Sequence, residues 1–288
     1  MDILITGLLL GGTYALIAMG LNLQYGMARI MNLANGEMLV AGGFVAFWLW
    51  TGSQISPLLT VFVVAPVAFL LNWLIYLIFL RPLVKRAKSR GQLEVDSILT
   101  TFGLSFVAVG LMLAFFGGDY FSYSYLSEPV HILGDTYGAN RVAAFLAAVV
   151  VCGLLWLWLN RSRAGMTIRA ISVAPEAARL VGIDVRRTAA LAFALGGAVT
   201  ATGGALISTF LTLDASTGVI FTLKALVIVI MGGVGDVRGT VVAALLLGLL
   251  ETFVARLIDP GLTLAAAYLL FVVILLFRPQ GLFGRPTT

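Results

Sequence analysis

Side chains able to do covalent or acid–base chemistry are scarce in this 288-residue sequence, which has one histidine, His131, one cysteine, Cys152, and three lysines, Lys85, Lys88 and Lys224. No nucleophile, base and orienting group can be assembled from that set, and no His/Cys/Asp/Glu cluster has the spacing of metal ligands, so neither a catalytic nor a metal site is expected. A phosphate-binding loop of the form G-x-x-x-x-G-K-[ST] cannot be written either, because the lysines follow Val84, Ala87 and Leu223. If ATP is used, another chain must bind it. What remains is polar recognition inside apolar sequence. The run Asn32-Leu33-Ala34-Asn35-Gly36-Glu37 sets two amides and a carboxylate at the edge of an apolar segment, a costly arrangement in lipid unless partnered. Two compatible readings stand: Asn35 caps a helix that begins at Gly36, with Glu37 in its first turn, or the group contributes to a transport path. Lys224 and Glu251 are the other charges flanked by apolar segments, and both read as interfacial or snorkelling residues. His131 reads as solvated and Cys152 as a small residue packed in a span.

The elements that position these residues follow from composition. Hydrophobic residues make up 60% of the chain and charged residues 11%, with a mean hydropathy of +1.05, whereas soluble domains carry about 25% charged residues. A water-soluble fold is excluded. Apolar runs at 3–28, 38–80, 97–118, 142–160, 188–213 and 260–277 are mostly long enough to span a bilayer. They are apolar all round and lack the two-residue alternation of barrel strands, so they are helices. The expected fold is an all-α polytopic membrane protein, one transmembrane domain over 1–288 with about eight or nine spans. Two segments, 38–50 and 223–235, are short enough to be re-entrant or broken. The start of the chain lacks the basic region of a secretory signal and reads as a retained first span.

The net charge of +5 does not point to nucleic acid, because the basic residues cluster between apolar runs. Arg81, Lys85, Arg86, Lys88 and Arg90 fall in one connection, near 81–96. Arg161, Arg163, Arg169, Arg179, Arg186 and Arg187 fall in another, near 160–187. By the positive-inside rule both are cytoplasmic. The segment near 119–141 has Asp119, Glu128 and Asp135 against Arg141 alone and is expected outside, its Tyr120 to Tyr125 stretch lying on the leaflet surface or forming a short hairpin. This count puts the N-terminus outside and the C-terminus, with Arg278 and Arg285, in the cytoplasm. Trp48, Trp50, Trp156 and Trp158 read as interfacial anchors. Paired glycines within the apolar runs suit close helix packing in lipid.

The most specific local signal is the stretch from Ala174 to Asp184. Pro175 suits a first helical position, Glu176 the positive end of the helix dipole, Arg179 the negative end, and Gly182 a left-handed cap. The spacing predicts a short helix near 175–181, which physics alone reads as a capped connection between spans.

Glu176-Ala177-Ala178 followed by Gly182 resembles the EAA motif of the permeases of ATP-driven importers. Two further stretches are similar to the LivH-type family of branched-chain amino acid permeases. One runs from Gly12-Thr13-Tyr14-Ala15-Leu16 through Gly20 and Tyr25-Gly26 to Asn32 and Glu37. The other is Leu223-Lys224-Ala225 with Met231-Gly232-Gly233-Val234-Gly235 and Gly239. The family has histidine where Asn35 stands here. The resemblance implies a non-catalytic permease subunit of a bacterial inner-membrane ABC importer. In that reading Pro175, Glu176, Ala177, Ala178, Arg179 and Gly182 form a coupling helix whose two alanines give a low docking face for an ATPase. Asn32, Asn35, Glu37, Gly232 and Gly233 are candidates for the translocation path or for structural caps. The implied partners are a LivM-like permease, two ABC ATPases of the LivG and LivF type, an external solute-binding protein and the lipid bilayer. Mg-ATP belongs to the ATPases, and no cofactor to this chain. The cargo would be leucine, isoleucine or valine, with urea, an amide or another amino acid as the alternative. An ion-coupled secondary transporter is the rival from another class, and would need more ionisable residues inside the membrane than this chain offers.

Overall fold

The computed structural model describes residues 2–284 apart from 88 and 133; Lys88 and Arg285, two of the basic residues counted above, lie outside the described residues. Among the described residues the regular structure is helical except for one two-stranded hairpin and one isolated bridge. The elements are α1 (Asp2–Asn22), α2 (Asn35–Ser53), α3 (Pro57–Ile75), α4 (Arg81–Arg86), α5 (Arg90–Phe116), β1 (Pro129–Ile132), β2 (Asp135–Gly138), α6 (Ala139–Arg161), α7 (Arg163–Val173), α8 (Pro175–Leu180), α9 (Val185–Ile207), α10 (Gly218–Gly232), α11 (Val237–Leu257) and α12 (Thr263–Phe277). Single π turns at Leu23–Met27 and Tyr76–Leu80 extend α1 and join α3 to α4. Among the described residues, seven helical stretches are long and apolar enough to cross a bilayer, and α10 is a shorter apolar helix. α2 is a 19-residue helix whose first turn carries Glu37.

Local chemistry sets the boundaries. Pro57 and Pro175 open α3 and α8, where a missing N–H costs nothing. Ser89, Ser162, Asp184 and Asp236 accept N–H bonds at the starts of α5, α7, α9 and α11. α7 lies in the connection expected between 160 and 187. Its buried Gly165, Ile168 and Ile171 recur every three residues, a one-sided stripe that holds it against the bundle.

Contacts between helices give their directions. α1 runs antiparallel to α11, and the two approach so closely that a Cβ on Gly11 would meet the Leu245 Cα at 2.8 Å. With no hydrophobic drive between helices in lipid, such backbone contact supplies dispersion that larger side chains would block. Gln24 reaches the Phe193 carbonyl and Leu16 lies against Gly203, so α1 is also antiparallel to α9. α9 is the central helix: 89% of its spanning window is buried, against 6% for α12, which faces outward. α2 runs parallel to α9, with Asn35 bonded to Thr200 and Gly43 beside Ser208. α10 is antiparallel to α11, since Gly232 lies against Gly239 while Lys224 pairs with Glu251. The bundle thus has an arginine-rich end, with α4, α7, α8 and the α10–α11 turn, and a hairpin end.

The aromatic segment 120–125 does something other than either expected alternative. Phe121 pairs through its backbone with Leu213, and its ring packs edge-on to Phe44 at 4.8 Å. Tyr123 hydroxyl shares a 2.9 Å hydrogen bond with Ser208, and Tyr125 packs edge-on to Trp50 at 5.1 Å. The segment closes the hairpin end of the bundle, and the hairpin itself comes later, at β1 and β2. Burial pushes the Tyr123 phenol up to about 12, so it stays neutral there.

Candidate functional site

α8 protrudes from the arginine-rich end and is six residues long. Glu176 and Arg179 form an exposed pair at 3.5 Å, a contact of at most about 1 kcal/mol. The helix stops at Gly182, whose φ of 80° is left-handed. The Gly182 N–H donates to the Arg179 carbonyl and the Ile183 N–H to the Ala178 carbonyl, the paired bonds of a Schellman cap. The expected docking face needs correction. Ala177 is exposed, but Ala178 is 3% exposed and packs in the core cluster with Ile168, Ile171 and Ala189. α8 has only one face free, and α7 and α9 take the other. The face that projects carries Leu180 and Val181, at 88% and 75% exposed, flanked by exposed Glu176 and Arg179. Two large apolar side chains held on a capped turn among charges are the kind of exposed feature that marks contact with another protein.

The second group lies within the bundle. Residues 28–34 turn back from α1, and polar side chains of neighbouring helices satisfy their irregular backbone. The Met31 N–H donates to Ser97 Oγ and the Leu33 N–H to Thr101 Oγ1. Such backbone survives at membrane depth only when protein groups take its hydrogen bonds. Asn35 is not the cap: α2 already includes it, and its Oδ1 accepts from Thr200 at 2.9 Å. Asn32 does the turning instead, accepting the Ala34 N–H and donating to Gln24 Oε1. Thr222 of α10 accepts the Gly36 N–H at 2.8 Å, a cap supplied by another helix.

Glu37 sits where α2 and α10 both begin. Glycine at 36 and at 218 lets the two starts touch, since a Cβ on Gly36 would fall on the Gly218 carbonyl oxygen and one on Gly218 would fall on the Glu37 carboxyl group. From this point α2 rises and α10 descends, because α2 is parallel to α9 and α10 is antiparallel to α11. Thr200, opposite Asn35, is about 22 Å along α9, so the junction lies inside the apolar layer. Two positive helix ends therefore flank one buried carboxyl. Among the described residues neither Glu37 oxygen, nor Asn35 Nδ2, has a hydrogen-bond partner.

Gly232 and Gly233 are elsewhere, at the far end of α10, about 21 Å along it from Gly218. Gly233 has φ 106°, and the C-terminal segment pairs with this end through Leu282 N–H to the Met231 carbonyl and Phe283 N–H to the Gly232 carbonyl. The structure brings Asn32, Asn35 and Glu37 together and leaves the two glycines at a packing point.

Sequence reading misjudged Lys224 and Glu251, which are neither interfacial nor snorkelling. Lys224 Nζ donates to Glu251 Oε2 at 2.8 Å and to the Tyr14 hydroxyl at 2.7 Å, and Tyr14 donates to the same Oε2 at 2.8 Å. The pair is 14% and 5% exposed. Lys224 is the single charge of α10 and Glu251 the single acid of α11, and the signal that could have joined them was that one cation and one anion in lipid need each other.

The model of the family described as branched-chain amino acid transport system, permease component, matches residues 3–278. The chain belongs to that family. The permease is 28% identical over 298 residues to BraD of Pseudomonas aeruginosa, a high-affinity branched-chain amino acid transport system permease protein, covering 98% of this chain and 95% of BraD. Its identity to LivH of Salmonella typhimurium, of the same description, is 25% over 295 residues, covering 97% and 94%. A shorter likeness, 32% over 114 residues and 37% of this chain, joins it to LsrD of Escherichia coli, an autoinducer 2 import system permease protein that it covers over 34%. It is a multi-pass transport permease of an ABC import system.

Proposed function

We propose that the permease carries branched-chain amino acids into a bacterial cell across the inner membrane, with ATP hydrolysed on separate ATPase subunits and the arginine-rich end in the cytoplasm. The observation that carries this reading is the family match from residue 3 to residue 278, with relatives of that named function aligned over nearly their whole lengths. The orientation rests on the positive-inside rule applied to α4 and to the stretch from Arg161 to Arg187. α8 is the ATPase contact in this reading, with Leu180 and Val181 as its apolar anchors. ATP-driven motion of the docked ATPases would then bias the bundle between outward and inward access. A LivM-like permease and an external solute-binding protein complete the proposed assembly.

Uptake into proteoliposomes holding the permease, its ATPases and a companion permease tests the proposal. ATP-dependent accumulation of leucine, isoleucine or valine is the expected result. Accumulation of some other small solute instead would move the cargo, a second reading that the LsrD likeness favours. Buried Glu37, Lys224 and Glu251 are the groups an ion-coupled carrier would use. Gradient-driven uptake by the chain alone would overturn the proposal in favour of that class.

A further inference from the structure

Where α1, α6 and α11 leave the apolar layer at the arginine-rich end, the surface holds a cavity of about 630 Å³. Its lining residues include three arginines, Arg29, Arg169 and Arg238, and one acid, Asp236. Asp236 is engaged in capping α11, where its Oδ1 accepts the Gly239 N–H at 2.7 Å. Arg29 donates to the Ser172 carbonyl, and Arg169 donates to Asn160 Oδ1, a neutral acceptor. Neither Arg169 nor Arg238 is in an ion pair among the described residues. The cavity is a positive basin.

A second hollow, of about 430 Å³, continues from it. The two share Trp156, Val237 and Arg238. The second runs along α1, α6 and α11 and is lined by apolar residues such as Ala15, Met19, Cys152 and Leu245. From Arg238 to Leu245 it extends about 10 Å away from the arginine-rich end, into the apolar layer. Gly153 on its wall faces open space. A cationic basin joined to an apolar groove has the chemistry and the layout of one amphiphilic anion.

We propose that the joined hollows bind one anionic phospholipid of the cytoplasmic leaflet, its phosphate headgroup among Arg29, Arg169 and Arg238 and an acyl chain along the groove. Basic pockets between spanning helices on the cytoplasmic side hold such headgroups by charge. A free phosphate has no use for the groove, and a zwitterionic lipid would bring a cation to three guanidinium groups. The lipid would join α6, α7 and the α10–α11 turn, and so brace the helix that carries α8. The leaflet named here rests on the orientation proposed above, but the site itself does not.

The test uses the full chain in nanodiscs containing either phosphatidylglycerol or phosphatidylcholine with brominated acyl chains, and reads quenching of Trp156 fluorescence as the difference from Trp156→Phe. Nanodiscs offer both leaflets equally, so a wrong orientation leaves this result unchanged. Trp156 quenching is expected to half-saturate at a far lower fraction of phosphatidylglycerol than of phosphatidylcholine. Arg169→Gln with Arg238→Gln should cut that preference about fivefold per arginine. Gly153→Phe should fill the groove and suppress quenching by either lipid. Arg238 is exposed, so Arg238→Gln alone carries the charge test should the double variant fail to fold. Equal half-saturation for the two lipids, or a preference undiminished by the loss of Arg238, overturns the proposal. Loss of quenching by both lipids once the companion permease is added would make the groove a subunit interface and overturn it as well.

Discussion

Lys224, Glu251 and Tyr14 close a triangle of charge-assisted hydrogen bonds from α10, α11 and α1. Removing one ion strands the other in a low-dielectric interior, which is where most of the cost of breaking a buried pair arises. Lys224→Met is expected to destabilise the permease by about 3–5 kcal/mol, whereas Tyr14→Phe, which leaves the ion pair in place, should cost about 1.5–3 kcal/mol. Lys224→Met with Glu251→Gln should recover much of the loss, because no net charge is then left behind. Thermal unfolding in nanodiscs measures all three, and a single-variant loss no larger than that of Tyr14→Phe would mean that water reaches the pair. Glu37 is the contrasting carboxyl, with no protein donor on either oxygen among the described residues. A glutamine there changes little in volume and removes no hydrogen bond, so Glu37→Gln should reach normal abundance. If the junction of α2 and α10 belongs to the transport path, its uptake falls about tenfold; full uptake assigns Glu37 to packing.

At the scale of the element, α8 separates two kinds of alanine that look the same in the sequence. Ala177 is exposed, while Ala178 is packed among Ile168, Ile171 and Ala189. Ala178→Asp buries a charge without a partner and should cost about 3 kcal/mol or more, seen as low abundance and aggregation rather than as uncoupling. Leu180→Asp with Val181→Asp alters only exposed positions. That variant should insert and accumulate normally yet fail to retain its ATPases on co-purification, and normal retention together with normal uptake would remove α8 from the docking role. Gly182→Val forces a β-branched residue to φ 80°, a strain of about 1–3 kcal/mol. It should loosen the cap and weaken ATPase attachment less than the double aspartate does. The meeting of α2 and α10 is an element-scale feature too. A 15-residue helix of about 22 Å cannot span a layer of about 30 Å, so it begins where another helix begins and shares its terminal bonds.

For the whole molecule, the proposed orientation predicts that single cysteines replacing Arg86 and Arg163 react only from the cytoplasm, and those replacing Tyr123 and Asp135 only from outside, in a Cys152→Ala background. Labelling of position 135 from the cytoplasmic side alone would invert the arrangement and move the ATPase contact with it. The all-helical fold, the spans and the family were legible in the sequence, because lipid permits few backbone structures and apolar length measures them directly. The caps of α8 were legible as well, since Pro175 and Gly182 act on neighbours a few residues away. What the tertiary structure alone decided is which residues meet across the chain. Asn35 faces Thr200 rather than its own helix start, Ala178 turns inward, and Lys224 finds Glu251 and Tyr14. A helix that is apolar all round carries no periodic mark of its buried face, so the sequence could place Lys224 and Glu251 in their helices but could not aim them at each other. Only the packing of α1, α10 and α11, set by backbone contacts at residues such as Gly11, supplies that direction.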